Sequence, residues 1–184
     1  FFMAKLGLAF ISAILISINS FVANADEGWV LGLGYNNAEL ENSGVNVDLG
    51  AIAVSAGYRF NIGEGFALIP EVRFGVGIGE DDFVDVDGDE FEVEIADYYS
   101  IGLRIQYEPN DQLYLFVAPT WMEAELGFKA TCCDIPDASE DDIGFAFGAG
   151  LNIDEKRSIE LGYESYDVDG TDLDMLNFTL RLSF

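Results

Sequence analysis

The residues that could do chemistry fall into three groups, and none contains histidine, which the chain lacks. Without imidazole there is no Ser-His-Asp triad and no zinc site resting on histidine, so most familiar hydrolase chemistry is excluded. The first group is four arginines set between large apolar neighbours: Tyr58-Arg59-Phe60, Val72-Arg73-Phe74, Leu103-Arg104-Ile105 and Leu180-Arg181-Leu182. In an extended chain successive side chains point to opposite faces, so each guanidinium points away from an apolar row. Glu71, Glu160 and Glu164 fall on the same face as the arginines. A buried arginine without a counter-charge costs several kcal/mol, so pairing among these residues is expected. The structural reading is a plug of ion pairs filling an interior; the functional reading is a charge-lined conduit.

The second group is the stretch Asp85-Val86-Asp87-Gly88-Asp89-Glu90. Alternating carboxylates can converge oxygens on a hard cation, which makes Asp85, Asp87, Asp89 and Glu90 a candidate weak Ca²⁺ site. The EF-hand template fails: counting from Asp85, Glu90 stands where glycine is required and Ala96 where the bidentate glutamate belongs. The competing reading is a solvated acidic loop that gathers divalent cations diffusely, with no dedicated cofactor. The third group is Cys132 and its neighbour Cys133. In an oxidising compartment they allow a strained vicinal disulfide, bridges between molecules, or two free thiols, and the sequence leaves these open.

Length and composition bound the elements that must position these groups. The chain has 184 residues, one domain's worth, half of them apolar, with 20 glycines and 15 phenylalanines. Against 8 basic residues stand 34 acidic ones, a net charge of −26 that repels nucleic acid. Disorder would need low hydrophobicity as well, and the mean hydropathy is +0.20. Met3-Ala4-Lys5 gives a short positive start, Leu6 to Ile18 is almost unbroken apolar, and Ala23-Asn24-Ala25 is a cleavage signal. Residues 3–25 therefore read as a secretory signal peptide and 26–184 as the mature domain. The apolar run is shorter than the roughly 20 residues of a spanning helix.

Beyond Asp26 period-2 alternation recurs, bounded by Gly, Asn and Asp, and no useful 3.6-residue stripe appears. The pattern predicts an all-β chain of eight strands, at Trp29–Tyr35, Asp48–Phe60, Phe66–Ile78, Glu92–Tyr107, Leu113–Phe128, Ile143–Ile153, Ser158–Tyr166 and Asp174–Phe184. The connections Asn61–Gly65, Glu108–Gln112 and Asp154–Arg157 are tight, whereas Asn36–Val47, Gly79–Phe91, Lys129–Asp142 and Asp167–Leu173 are mostly longer. Short turns at one end and long loops at the other are what a bacterial outer-membrane barrel shows. Together with Asp174 at the start of the last strand, the long connections hold 18 of the acids, so the outer face should be intensely negative.

Which face is greasy decides between a soluble and a membrane barrel. In the last strand Leu176, Phe178, Leu180, Leu182 and Phe184 form one row and Asn177, Thr179, Arg181 and Ser183 the other. In the sixth, Phe145, Phe147, Leu151 and Ile153 oppose Gly144, Ala146, Gly148 and Gly150. A narrow barrel has room inside only for the small and polar rows, so the large apolar rows face lipid. Trp29, Tyr58, Phe60, Phe66, Tyr107, Tyr114 and Phe184 fall near the short-turn ends as a candidate interfacial girdle. Two places resist. Glu123 and Glu125 share parity with Leu115, Val117 and Trp121, which calls for a bulge near Pro119 or an unusual wall. Asp97 shares parity with Ile95 and Tyr99, and is placed at the outer interface.

Ala56-Gly57-Tyr58-Arg59-Phe60, the glycine-spaced Phe66–Gly79 strand and the ending Asn177-Phe178-Thr179-Leu180-Arg181-Leu182-Ser183-Phe184 resemble the small outer-membrane β-barrel family of the OmpA transmembrane domain, OmpX and the opacity proteins. The resemblance implies an eight-stranded antiparallel up-and-down barrel, monomeric, integral to the outer membrane among its lipid and lipopolysaccharide. It implies that Phe178, Leu180, Leu182 and Phe184 form the signal read by the outer-membrane assembly machinery. No peptidoglycan-binding domain follows, so wall tethering is not expected. The leading function is a non-enzymatic envelope or surface-interaction protein whose surface ligand the sequence does not name. The alternatives are a small porin with weak cation preference and a soluble lipocalin-like periplasmic carrier. A lipid-modifying enzyme is disfavoured because the barrels of that kind rely on histidine.

Overall fold

A strand with greasy residues on one face and small ones on the other can satisfy its backbone in lipid only if both edges are paired. The computed structural model, which describes residues 27–42, 45–84, 90–130, 138–168 and 171–184, meets this condition by closure. Its strands are β1 (Gly28–Asn42), β2 (Val45–Gly63), β3 (Phe66–Gly77), β4 (Glu80–Val84), β5 (Glu90–Tyr107), β6 (Leu113–Ala130), β7 (Ala138–Asn152), β8 (Arg157–Val168) and β9 (Thr171–Ser183). Every pairing is antiparallel and the order is β3-β2-β1-β9-β8-β7-β6-β5-β4, with β3 also paired to β5. That last ladder closes the ring. Because β3 and β4 pair with successive parts of β5, at Asp97–Tyr107 and Glu90–Glu94, they form one interrupted stave, and the barrel has eight.

The last strand shows which way the wall faces. Phe178 is 55% exposed and Leu176 52%, whereas Asn177 between them and Arg181 on the same parity as Asn177 are buried. Phe145 and Phe147 on β7 are exposed and Ala146 is buried. A contiguous coat of this kind is untenable in water and natural in hydrocarbon. The small inward row of β7 is required by what faces it. A Cβ on Gly148 would collide with the Leu161 carbonyl and the Phe116 ring, one of which is backbone. At the short-turn end, Gly63, Glu64 and Gly65 all have positive φ, so two of three positions need glycine.

The strands run well beyond the predicted ends. β1 continues to Asn42 and β2 starts at Val45, across most of the expected loop, and β4 lies inside the second. In the extended part the faces exchange character. Ala38, Val47, Leu49, Met122, Ala124, Leu173 and Met175 are buried in an apolar cluster inside the barrel. Glu39, Asp48, Glu125 and Asp172 on the opposite parity are exposed. The carboxylates read as loop in the sequence because they occupy the parity that is apolar lower down. On β7 the exchange is incomplete: its ladder with β8 starts only at Phe145↔Ser165, and above it Glu140 and Asp142 sit on the inner parity.

Three further expectations are corrected. No bulge lies near Pro119; β6 alternates without a break, and Glu123 and Glu125 stay on the outer parity because they stand above the lipid. The irregularity is on β5 between Ile95 and Asp97, and it turns Ile95 into the interior, where it is 7% exposed, while Asp97 and Tyr99 keep the outer face. Tyr114 does not join the girdle: it is buried in the lumen beside Phe116. The rest of the girdle holds, with Trp29 edge-on to Tyr58 at 5.6 Å and Phe66 on Tyr107 at 4.6 Å.

Candidate functional site

The membrane-level interior is built from the inward rows of β3, β5, β8 and β9, and these bring six of the seven expected charges into one chain. Arg73 Nη1 donates to Glu164 Oε1 at 2.6 Å. Arg104 grips Glu160 with two bonds of 2.6 and 2.9 Å, the bidentate geometry that a planar guanidinium provides. Arg181 donates to Glu71 and lies 3.6 Å from Glu160, and Glu71 lies 3.9 Å from Arg73. The charges thus alternate in the order Glu164, Arg73, Glu71, Arg181, Glu160, Arg104. The Arg104 guanidinium stacks 3.8 Å from the Phe116 ring centroid.

Neutral groups complete the network. Tyr166 and Asn177 donate to Glu164, each at 2.7 Å, and the Tyr114 hydroxyl donates to Glu160 at 3.1 Å. Asn36 donates to the hydroxyl of Tyr98, whose ring belongs to the apolar cluster. Tyr98, Tyr114 and Tyr166 were not among the expected site residues, although each lies on the inward parity of its strand. Between Glu71, Arg73, Arg104 and Thr120 a space of about 10 Å³ is left, enough for about one water.

Arg59, the seventh, stands apart. It pairs with Glu108 at the short-turn mouth through bonds of 2.6 and 2.9 Å, and Gln106 donates to the same carboxylate at 2.8 Å. The expected partners Glu71, Glu160 and Glu164 lie deeper. Glu108 was assigned to a turn, yet it continues the inward row of Arg104 and Gln106. Burial pushes the Glu108 carboxyl up, but the hydrogen bonds and charge of Arg59 outweigh it and hold the group below the usual carboxylate range.

At the other end the outward rows carry a collar of carboxylates. The Tyr99 hydroxyl donates to Glu123, Ser139 donates to Glu123 at 3.2 Å, and Trp121 Nε1 donates to Asp141 at 3.1 Å. These aromatics mark the upper edge of the lipid band. Above them the register sets acid against acid: Asp97 opposite Glu125, Glu123 opposite Asp141, Asp167 opposite Asp172, and Glu39 opposite both Asp48 and Asp174. Like charges directly across a ladder repel.

Other expected residues are placed as follows. Phe178, Leu180 and Leu182 share the outward row of β9, and Phe184, just past the strand's end, keeps the same parity. Asp85, Asp87 and Asp89 lie outside the described residues, as do Cys132, Cys133 and the signal segment 3–25, and Glu90 opens β5. Among the described residues no three carboxylate or thiol groups gather as a metal site.

Two variants test the interior. Arg181→Ala leaves Glu71 and Glu160 short of a counter-charge and should cost about 3–5 kcal/mol in urea unfolding from detergent, while Arg181→Met combined with Glu71→Leu should recover most of it. Glu108 has a depressed folded-state pKa, so its contribution is complete above the unfolded value of about 4.3 and is lost as pH falls through the folded one. The stability difference between wild type and Glu108→Gln should therefore be constant above about pH 5 and shrink in more acidic buffer.

Comparison with known proteins agrees with this geometry. The outer membrane protein beta-barrel domain family matches residues 8–184. No curated protein matches the sequence. Among solved structures, Ail, the attachment invasion locus protein of Yersinia pestis, in complex with the heparin analogue sucrose octasulfate, superposes with a TM-score of 0.64 at 14% identity, over 86% of this chain and 99% of that one. Neisserial surface protein A gives a TM-score of 0.58 at 14% identity, over 85% and 97%. At such identities the likeness is one of fold. The family match spans most of the chain, and the greasy outer rows need lipid: the chain belongs to the outer membrane protein beta-barrel domain family and is an integral protein of the bacterial outer membrane.

Proposed function

We propose that this barrel is a non-enzymatic surface protein whose staves lift an acidic collar above the lipid, and that it does not conduct. The observation that carries the reading is the filled interior. In support, the apolar cluster around Leu49, Tyr98, Met122 and Met175 packs into the upper lumen, and the charge chain from Glu164 to Arg104 spans the middle. Eight-stranded interiors are normally filled by side chains in this way. A lipocalin-like carrier would need a ligand cavity and a polar exterior, and here the exterior at mid-height is apolar.

The collar chooses the kind of partner. Ail was solved with a sulfated, polyanionic sugar. The described collar of this chain carries Glu39, Asp48, Asp97, Glu123, Glu125, Asp141, Asp172 and Asp174. Such a surface repels sulfates and attracts cations. Divalent ions held diffusely among these facing carboxylates would offset their repulsion and bridge them to lipopolysaccharide phosphates. On the lipid side, the row Phe178, Leu180, Leu182 and Phe184 is the segment we assign to recognition by the assembly machinery.

Planar-bilayer recording tests the closed lumen: the refolded protein should show no stepwise conductance in 1 M KCl, and regular cation-selective steps would favour the small-porin reading instead. In the same preparation, millimolar Mg²⁺ should raise the melting temperature more than NaCl of equal ionic strength.

A further inference from the structure

The short-turn end holds an open groove on the outer wall. It has a volume of about 630 Å³ and lies between the β7–β8 turn, Asp154–Arg157, and the end of β9, Leu182–Phe184. Its apolar side is Leu182 and Phe184, on the outward parity that meets hydrocarbon. Its polar side is rigid. Asp154 accepts the backbone N–H groups of Lys156 and Arg157 at 3.0 and 2.9 Å, and holds the Arg157 guanidinium at 2.7 Å. The Lys156 carbonyl accepts the Ser183 N–H at 2.8 Å, which ties the turn to β9.

The charges that remain at this turn are Glu155 and Lys156. Each is exposed, and neither has an ion-pair partner among the described residues. Arg59, Arg73, Arg104, Arg157 and Arg181 are each paired with a carboxylate. A free cation and a free anion thus stand side by side where the greasy band ends at the periplasmic side. A purely anionic headgroup would meet Glu155 and the strongly negative field of the chain, and a purely cationic one would meet Lys156. A headgroup bearing a phosphate and a primary ammonium is complementary to both.

We propose that this groove is a binding site for an inner-leaflet phospholipid of the phosphatidylethanolamine class. Lys156 receives the phosphate, Glu155 accepts hydrogen bonds from the ammonium, and an acyl chain lies along Leu182 and Phe184. The inference rests on the outer-membrane placement and is independent of what the outer collar does.

Native mass spectrometry of the folded protein in detergent, with equimolar phosphatidylethanolamine, phosphatidylglycerol and phosphatidylcholine of identical chains, tests it. The ethanolamine adduct should exceed each of the others about threefold, as expected for exposed charge pairs. Lys156→Gln should lower all three adducts, and Glu155→Gln should remove the preference over phosphatidylglycerol while leaving the phosphatidylglycerol adduct in place. Both side chains are exposed, so the folded barrel is retained for comparison. Equal adducts in the wild type, or a wild-type pattern kept in both variants, would overturn the proposal; either result would be expected if the groove serves a protein partner instead.

Discussion

A β-strand that leaves hydrocarbon for water keeps the alternation of its faces but must exchange their polarity. In lipid the outside of the barrel has to be apolar and every backbone group has to find a partner within the wall, so the sheet closes and turns Leu and Phe outward. Above the lipid the same parity meets water, and it carries Glu39, Asp174 and Glu125, while the inner parity fills with Leu49, Met122 and Met175. The aromatic–carboxylate contacts Tyr99 to Glu123 and Trp121 to Asp141 sit at the crossing point. One chain is thus built as a membrane barrel below and as a water-soluble barrel above, on staves of which only β3–β4 is interrupted among the described residues.

The inner polarity of the lower half creates the second problem, which is where to put charge in a narrow, dry cylinder. Each carboxylate of the chain from Glu164 to Arg104 is held by an arginine and, for Glu160 and Glu164, by a tyrosine as well. Such a network contributes little net stability over a hydrophobic filling, but the loss of one member leaves a charge stranded. Its geometry also links β3, β5, β8 and β9 across the lumen, which fixes the strands' relative heights. Arg59 with Glu108 repeats the device at the mouth.

Much of this was legible in the sequence wherever one solvent lay outside the wall. The rows of β9 and β7 could be read directly, as could the inward parity of Arg73, Arg104 and Arg181 and the tight turns. What escaped the reading has physical causes. Asn36–Val47 reads as a loop because its outward residues become polar above the lipid while the apolar ones move to the inward row. Height alone makes Tyr114 look interfacial, but its neighbour Leu115 occupies the outward parity and turns Tyr114 into the lumen. The β5 irregularity at Ile95–Asp97 shifts parity with no glycine or proline to announce it. Glu108 reads as the start of a turn, although the inward row of Arg104 and Gln106 simply extends to it.

The exchange of polarity along one strand is tested most directly on β9, by spin labels at single cysteines in a background with Cys132 and Cys133 replaced by serine, in lipid vesicles. Labels at Leu176, Phe178 and Leu180 should collide with oxygen and be shielded from a water-soluble nickel complex. Labels at Asp172 and Asp174 should show the reverse, and a label at Asn177 should be shielded from both. A label at Phe178 shielded from oxygen, with one at Asn177 open to it, would contradict the outward placement of the greasy row and with it the whole architecture.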